Sequence, residues 1–131
     1  MNGVETVRRY FDLAENFSSD ADELLEIIHP DIIATEYPNA LSPRMRSRTF
    51  PEMQAGLKAG GTMLKWQRFD IQRSFECNAM LIVETQWTGE MKISAGPLKE
   101  GRILTAHICF FFEFQNGRII RHRNYDCYEA F

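Results

Sequence analysis

Apolar positions along the chain keep a helical spacing in the first half and alternate in the second. Val4, Val7, Phe11, Ala14 and Phe17 recur every three or four residues, with Tyr10 and Leu13 widening the stripe, which is one buried helix face. Ser18-Ser19-Asp20 breaks that helix and caps a second, whose Leu24, Leu25, Ile27 and Ile28 turn inward before His29-Pro30 stops it. Asp31 to Tyr37 reads as a short strand ending at Pro38, and residues 39–48 read as a loop. Thr49-Phe50-Pro51-Glu52 is a capping box with proline in the first turn, opening a third helix that Gly60-Gly61 closes. Beyond it the pattern predicts four strands in an antiparallel meander: Leu64 to Phe75, Ala79 to Met91, Arg102 to Phe114 and Arg118 to Cys127. Strands well beyond the usual five or six residues must twist and curl. Helices first and strands after predict an α+β fold, a single domain over residues 1–131 in which three helices from the first half pack on one face of a curved antiparallel sheet.

The last two strands meet at Gln115-Asn116-Gly117, and Asn-Gly between alternating runs is a strong hairpin signal. A tight two-residue turn would set Phe112 opposite Arg121 and Phe110 opposite Arg123, mixing apolar and charged side chains on one face. A three-residue turn with Gly117 left-handed and a bulge instead groups Ala106, Ile108, Phe110, Phe112 and Phe114 with Ile120, His122, Asn124 and Asp126. That register gives an apolar face that becomes ionisable at one end, the pattern of a small-molecule pocket. The other face then carries Thr105, His107, Cys109, Phe111, Glu113, Arg121, Arg123 and Tyr125, with Thr85 and Trp87 adjoining. Left without a helix, it is expected to form a homodimer interface.

Composition narrows the function classes. At 44% hydrophobic and 25% charged residues, the chain has the make-up of a packed globular protein, and its formal charge of −3 offers no general attraction to nucleic acid or anionic membrane. No apolar run reaches the length of a bilayer span and the first residues lack a signal-peptide layout, so a cytoplasmic address is expected. Cys77, Cys109 and Cys127 have no C-x-x-C spacing, and His29, His107 and His122 have no metal-binding spacing, so neither a metal site nor a cofactor is expected. Phosphate-cradling glycine motifs and a serine nucleophile elbow are also absent from the sequence.

The residues left for chemistry are few. Alternation alone does not say which face of the strand from Ala79 to Met91 is inside. With its even positions inward, Glu84 joins His122, Asn124 and Asp126 at one end of the cavity. Two carboxylates and an imidazole there would suit proton transfer, because burial and a like charge both raise a carboxylate's pKa. Tyr10, on the pocket side of the first helix, could donate to a ligand oxygen. Tyr37 and Trp66 are candidate aromatic walls, and Phe110 belongs to the core side of the Phe110-Phe111-Phe112 run. Arg44, Arg46 and Arg48 form a basic loop, a solvated surface able to draw an anion to the cavity mouth.

Val7-Arg8-Arg9-Tyr10-Phe11, Ala34-Thr35-Glu36-Tyr37-Pro38 and the closing run from Asn116 to Asp126 resemble the SnoaL-like branch of the nuclear transport factor 2-like superfamily. The resemblance implies a cone-shaped α+β fold of the cystatin-like kind with a deep pocket, and frequent dimers. Among its members are ketosteroid isomerases, polyketide cyclases, epoxide hydrolases, dehydratases and non-catalytic association domains. It sets Tyr10 at the oxyanion tyrosine of the isomerases, Tyr37 at their general-base aspartate, and Phe110 near their second oxyanion acid. Glu84 and Gln86 fall where epoxide hydrolases carry an arginine and an aspartate. Asn124 stands where the last strand of cyclases and hydrolases supplies an aspartate, with Asp126 two residues on. The expectation is a pocket for a small apolar molecule bearing a carbonyl or hydroxyl group. An isomerase, cyclase or dehydratase would use Asp126, Glu84, His122 and Tyr10 for catalysis and Tyr37, Trp66, Gln86, Phe110 and Asn124 for binding. The alternatives are a binding protein without turnover and a dimeric association module.

Overall fold

The computed structural model describes residues Met1–Phe131. Three helices, α1 (Gly3–Glu15), α2 (Ala21–Leu25) and α3 (Phe50–Met63), accompany six strands, β1 (Ile28–Glu36), β2 (Arg46–Arg48), β3 (Leu64–Cys77), β4 (Met80–Met91), β5 (Ile103–Gln115) and β6 (Arg118–Tyr128). The strands form one sheet in the order β2-β1-β6-β5-β4-β3. All neighbours are antiparallel except β1 and β6, which run parallel. The expected four-stranded meander is therefore extended on one side by β1 and β2, the latter inside the segment read as a loop.

Helix boundaries follow local chemistry. Asn2 caps α1 by accepting from the Glu5 amide at 2.9 Å, and the Glu5 carboxylate accepts in return from the Asn2 amide. Asp20 caps α2, which stops after five residues, so Ile28, His29 and Pro30 belong to a strand and not to the helix end. Pro30 lacks an N–H, and the β1–β6 register slips between Ile28 and Ile33. Helix α3 opens at the Thr49–Glu52 capping box but runs through Gly60-Gly61 to Met63. There Phe17 packs 3.3 to 3.6 Å from where added Cβ atoms of those glycines would lie. Close packing, not chain reversal, is what the pair provides.

The hairpin turn differs from the expected one while delivering the same faces. Asn116 and Gly117 both have positive φ, 52° and 77°, and Gln115 pairs with Arg118, which is a two-residue primed turn. Phe114 then opposes Ile119 while Glu113 opposes Arg121, so Ile120 is an extra residue in β6. This bulge moves the register by one and aligns Phe112 with His122, Phe110 with Asn124 and Ile108 with Asp126. Ile119, not Ile120, consequently enters the core.

On β4 the odd positions are inside. Leu81, Val83, Thr85, Trp87 and Met91 are buried, and Glu84 and Gln86 lie on the convex face opposite Cys109 and His107. This corrects the expectation that Glu84 and Gln86 face the helices and that Thr85 and Trp87 lie outside. Turning the even set inward would bury Glu84, Gln86 and Glu90 to expose an indole and several aliphatic chains, a loss on every count. The core joins these residues to Val7, Phe11 and Leu13 of α1 on the concave side.

Candidate functional site

The concave face of the sheet is a grid of ranks. Arg48, Ala34, His122 and Phe112 form one row across β2, β1, β6 and β5, and Glu36, Asn124 and Phe110 form the next. Asp126, Ile108 and Thr85 follow, and then Tyr128, Ala106 and Trp87. Side chains polar on the β1–β6 side and apolar toward β4 and β3 thus meet under α1 and α3. They enclose a cavity of about 290 Å³ between Tyr10 and Phe11 of α1, Met53 and Leu57 of α3, and the sheet. That volume is at the lower end of the range for small-molecule sites, roughly 300–1,000 Å³. It suits a compact ring system.

The polar end has a definite hydrogen-bond order. Tyr10 Oη lies 3.3 Å from His122 Nε2, and His122 Nδ1 is buried without a partner. His122 is held neutral by loss of hydration and by the nearby Arg48 charge, its pKa pulled down to about 4. A buried N–H left unpaired costs more than a buried lone pair, so the ring proton belongs on Nε2, which donates to Tyr10 Oη. Tyr10 itself, pushed up to about 12 by burial, keeps its proton and has an O–H free for a ligand oxygen.

Asp126 is partly buried beside Tyr128 and accepts from Asn124 Nδ2 at 2.6 Å. None of the chain's ion pairs includes it. Desolvation raises its pKa to about 6, with the Asn124 amide opposing and the Glu36 charge adding to the rise. Burial and the two neighbouring carboxylates push the Tyr128 hydroxyl up as well. Glu36 is paired with Arg48 at 3.4 Å and receives Asn39 Nδ2 at 3.0 Å. On the apolar side, Trp87 Nε1 donates to Gln67 Oε1 at 2.9 Å, and Gln67 Nε2 donates to the Ala14 carbonyl at 2.7 Å. This ties the indole wall to the end of α1. A carboxyl able to gain or lose a proton near neutrality, sharing a cavity with a hydroxyl donor, is equipped for proton transfer to and from carbon or oxygen.

Of the residues singled out from sequence, Tyr10, Phe110, His122, Asn124 and Asp126 line this cavity together. Four others do not. Glu84 pairs with Arg73 at 2.8 Å on the convex face, and Gln86 lies on that same face. Trp66 donates to Glu90 there, beneath Arg68, because the inward positions of β3 go to Gln67 and Phe69. Tyr37 stacks on Tyr125 with ring centroids 4.5 Å apart, outside the cavity. Sequence reasoning missed Glu36, Gln67, Trp87 and Tyr128 as lining residues and set Arg48 in a solvated loop at the mouth, whereas it lines the cavity from a strand. Trp87 was recoverable, since extending the β4 pattern to Leu81 and Met91 settles its face. Arg48 was not, because nothing in Arg46-Ser47-Arg48 signals a strand. No cluster of three His, Cys, Asp or Glu side chains able to hold a metal ion occurs.

Helices seated in the concave side of a curved sheet, with a cavity opening between them, define the nuclear transport factor 2-like class of α+β proteins. The chain belongs to the SnoaL-like domain family, whose model matches residues 7–122. Among solved structures it is similar to IdmH, a candidate polyketide cyclase from Streptomyces antibioticus. The TM-score is 0.79 at 15% identity, covering 96% of this chain and 92% of that one. A SnoaL-like polyketide cyclase from Agrobacterium tumefaciens gives 0.70 at 15% identity, covering 96% and 92%. A Catenulispora acidiphila protein with a ketosteroid isomerase-like fold, solved with trimethylamine, gives 0.71 at 11% identity, covering 92% and 84%. At such identities the likeness is one of fold. No curated protein matches the chain. No helix is long and apolar enough to cross a membrane.

Proposed function

We propose that the cavity binds a small, largely apolar molecule carrying a carbonyl or hydroxyl group and that the chain isomerises, cyclises or dehydrates it by proton transfer. Asp126 takes and returns the proton, Tyr10 donates to the oxygen where negative charge develops, and His122 steadies that hydroxyl from behind. The observation that carries this reading is the Asp126 carboxyl on the cavity wall without a cationic partner, held by one amide. A carboxylate kept only for structure is expected to have an arginine or lysine beside it, as Glu36 has. Likeness to polyketide cyclases supports the same class of chemistry.

Hydrogen–deuterium exchange at carbon beside a carbonyl tests this without knowledge of the natural substrate. Cyclic ketones small enough for the cavity, incubated with the protein in heavy water and followed by NMR, are expected to exchange faster than in buffer. Asp126→Asn should abolish the excess while leaving ketone affinity nearly unchanged. Binding without any excess exchange would leave a ligand-binding protein and refute the enzyme.

For the convex face the same proposal includes a homodimer. Supporting it are the stack of half-buried Tyr37 on exposed Tyr125 and the aromatic ring of Phe111 beneath Arg123. Light scattering that returns a monomer mass of 15.3 kDa at working concentration would reject the dimer. Free thiols at Cys77, Cys109 and Cys127 fit a reducing compartment, and the cytoplasm is the proposed location.

A further inference from the structure

The β2 side of the cavity carries positive charge that proton transfer by Asp126 does not use. Arg46 and Arg48 oppose Glu36 and Ala34 across the β1–β2 ladder, so both arginines stand on the concave face, where Glu36 pairs with Arg48 and Glu52 of α3 also feels the Arg48 charge. Arg48 lines the cavity. Its only side-chain partner is Glu36, through one Nη1 contact at 3.4 Å, so most of a five-donor guanidinium fork is unused. Glu36 is meanwhile anchored by Asn39, which keeps it from wrapping the fork. The guanidinium is near enough to Tyr10 and His122 for its charge to bear on both. Asp126 stands two ranks further along the sheet, with the apolar wall of Phe69 and Trp87 beyond.

We infer that the ligand is an ionised acid whose carboxylate pairs with the free edge of Arg48 while its ring body lies against Phe69 and Trp87. This rests on the proposed function of the cavity and narrows its substrate class from carbonyl and hydroxyl compounds in general to acids among them. A planar carboxylate matches a guanidinium edge with two parallel hydrogen bonds, which a neutral amide or ester does not. Anchored there, in the rank of His122, the molecule extends its ring past Tyr10 toward Asp126, leaving the Tyr10 hydroxyl for its carbonyl or hydroxyl oxygen.

Calorimetric titration of the full chain with naphthoate, naphthamide and naphthylmethylammonium, three probes of one shape and different charge, decides the matter. Naphthoate is expected to bind at least about tenfold tighter than naphthamide, as a charge-assisted pair should. Arg48→Gln should erase that preference and Arg48→Lys keep part of it. Glu36→Gln, which releases the guanidinium from its paired carboxylate, should raise naphthoate affinity and leave naphthamide unchanged. Equal binding of naphthoate and naphthamide, tighter binding of the ammonium probe, or a preference that survives Arg48→Gln would each overturn the inference while leaving a binding cavity in place. Should Arg48→Gln fail to fold, an unchanged naphthoate affinity in Glu36→Gln overturns it equally. Failure of all three probes to bind would remove the cavity function itself.

Discussion

Asp126 and His122 are pulled in opposite directions by the same desolvation, and their effects on stability are expected to cancel across the mildly acidic range. Asp126 rises from 3.8 to about 6, so between those values the folded chain holds a proton that the unfolded chain releases. Stability is therefore lost as pH climbs through that window, by about 3 kcal/mol at about 1.4 kcal/mol per unit. His122 falls from 6.5 to about 4, so there the unfolded chain takes a proton that the folded one refuses. Stability from this group is complete above 6.5 and is lost on acidification, again by about 3 kcal/mol. The two slopes oppose each other, leaving wild type nearly flat in these terms. Urea unfolding of wild type, Asp126→Asn and His122→Gln from about pH 4 to about pH 7.5 separates them. Relative to wild type, Asp126→Asn should be about 2–3 kcal/mol more stable at the neutral end, allowing for the altered Asn124 hydrogen bond, and should lose that advantage at the acid end. His122→Gln should gain its advantage at the acid end instead. Carboxylates remote from both residues titrate alike in all three proteins and drop out of the differences. A difference between Asp126→Asn and wild type that stays constant to within about 1 kcal/mol across the range would refute the desolvated placement of the carboxyl.

Three further substitutions probe the packing around the site. Thr85 Oγ1 is buried without a hydrogen-bond partner, so Thr85→Val should stabilise the chain by about 1 kcal/mol in thermal or urea unfolding, whereas a loss would mean the hydroxyl is satisfied. A Cβ at Gly89 would lie 2.8 Å from Trp87 Cζ2. Gly89→Ala should therefore cost about 1–3 kcal/mol and weaken binding of ring ligands as the indole shifts, with unchanged stability and affinity counting against that wall. Glu84→Gln breaks only the exposed pair with Arg73, and it should move stability by no more than about 0.5 kcal/mol and leave ketone exchange untouched, in contrast to Asp126→Asn.

The difference between what the sequence predicted and what the chain builds lies mainly in long-range pairing. Segregating the faces of the final hairpin was enough to bring His122, Asn124 and Asp126 together with Phe110, because burying arginines 121 and 123 among phenylalanines is costly however the turn is made. The means was not legible. The Asn116-Gly117 primed turn alone gives the wrong register, and only the extra residue at Ile120 restores the right one. Two neighbouring isoleucines carry no signal of which is the bulge. On β4 the opposite happened. The information was present in the run from Leu81 to Met91, but weighing only its central residues left Glu84 and Trp87 on the wrong faces. Glu36 and Arg48 belong to a third kind, set by the parallel pairing of β1 with β6 and by a three-residue edge strand. Parallel pairing between segments some ninety residues apart leaves no local trace, since each strand's own alternation is the same whichever partner it finds. The catalytic candidates on the hairpin were thus readable from local energetics. The arginine proposed to select the ligand was readable as a charge near the mouth, and its place in the cavity wall came through topology.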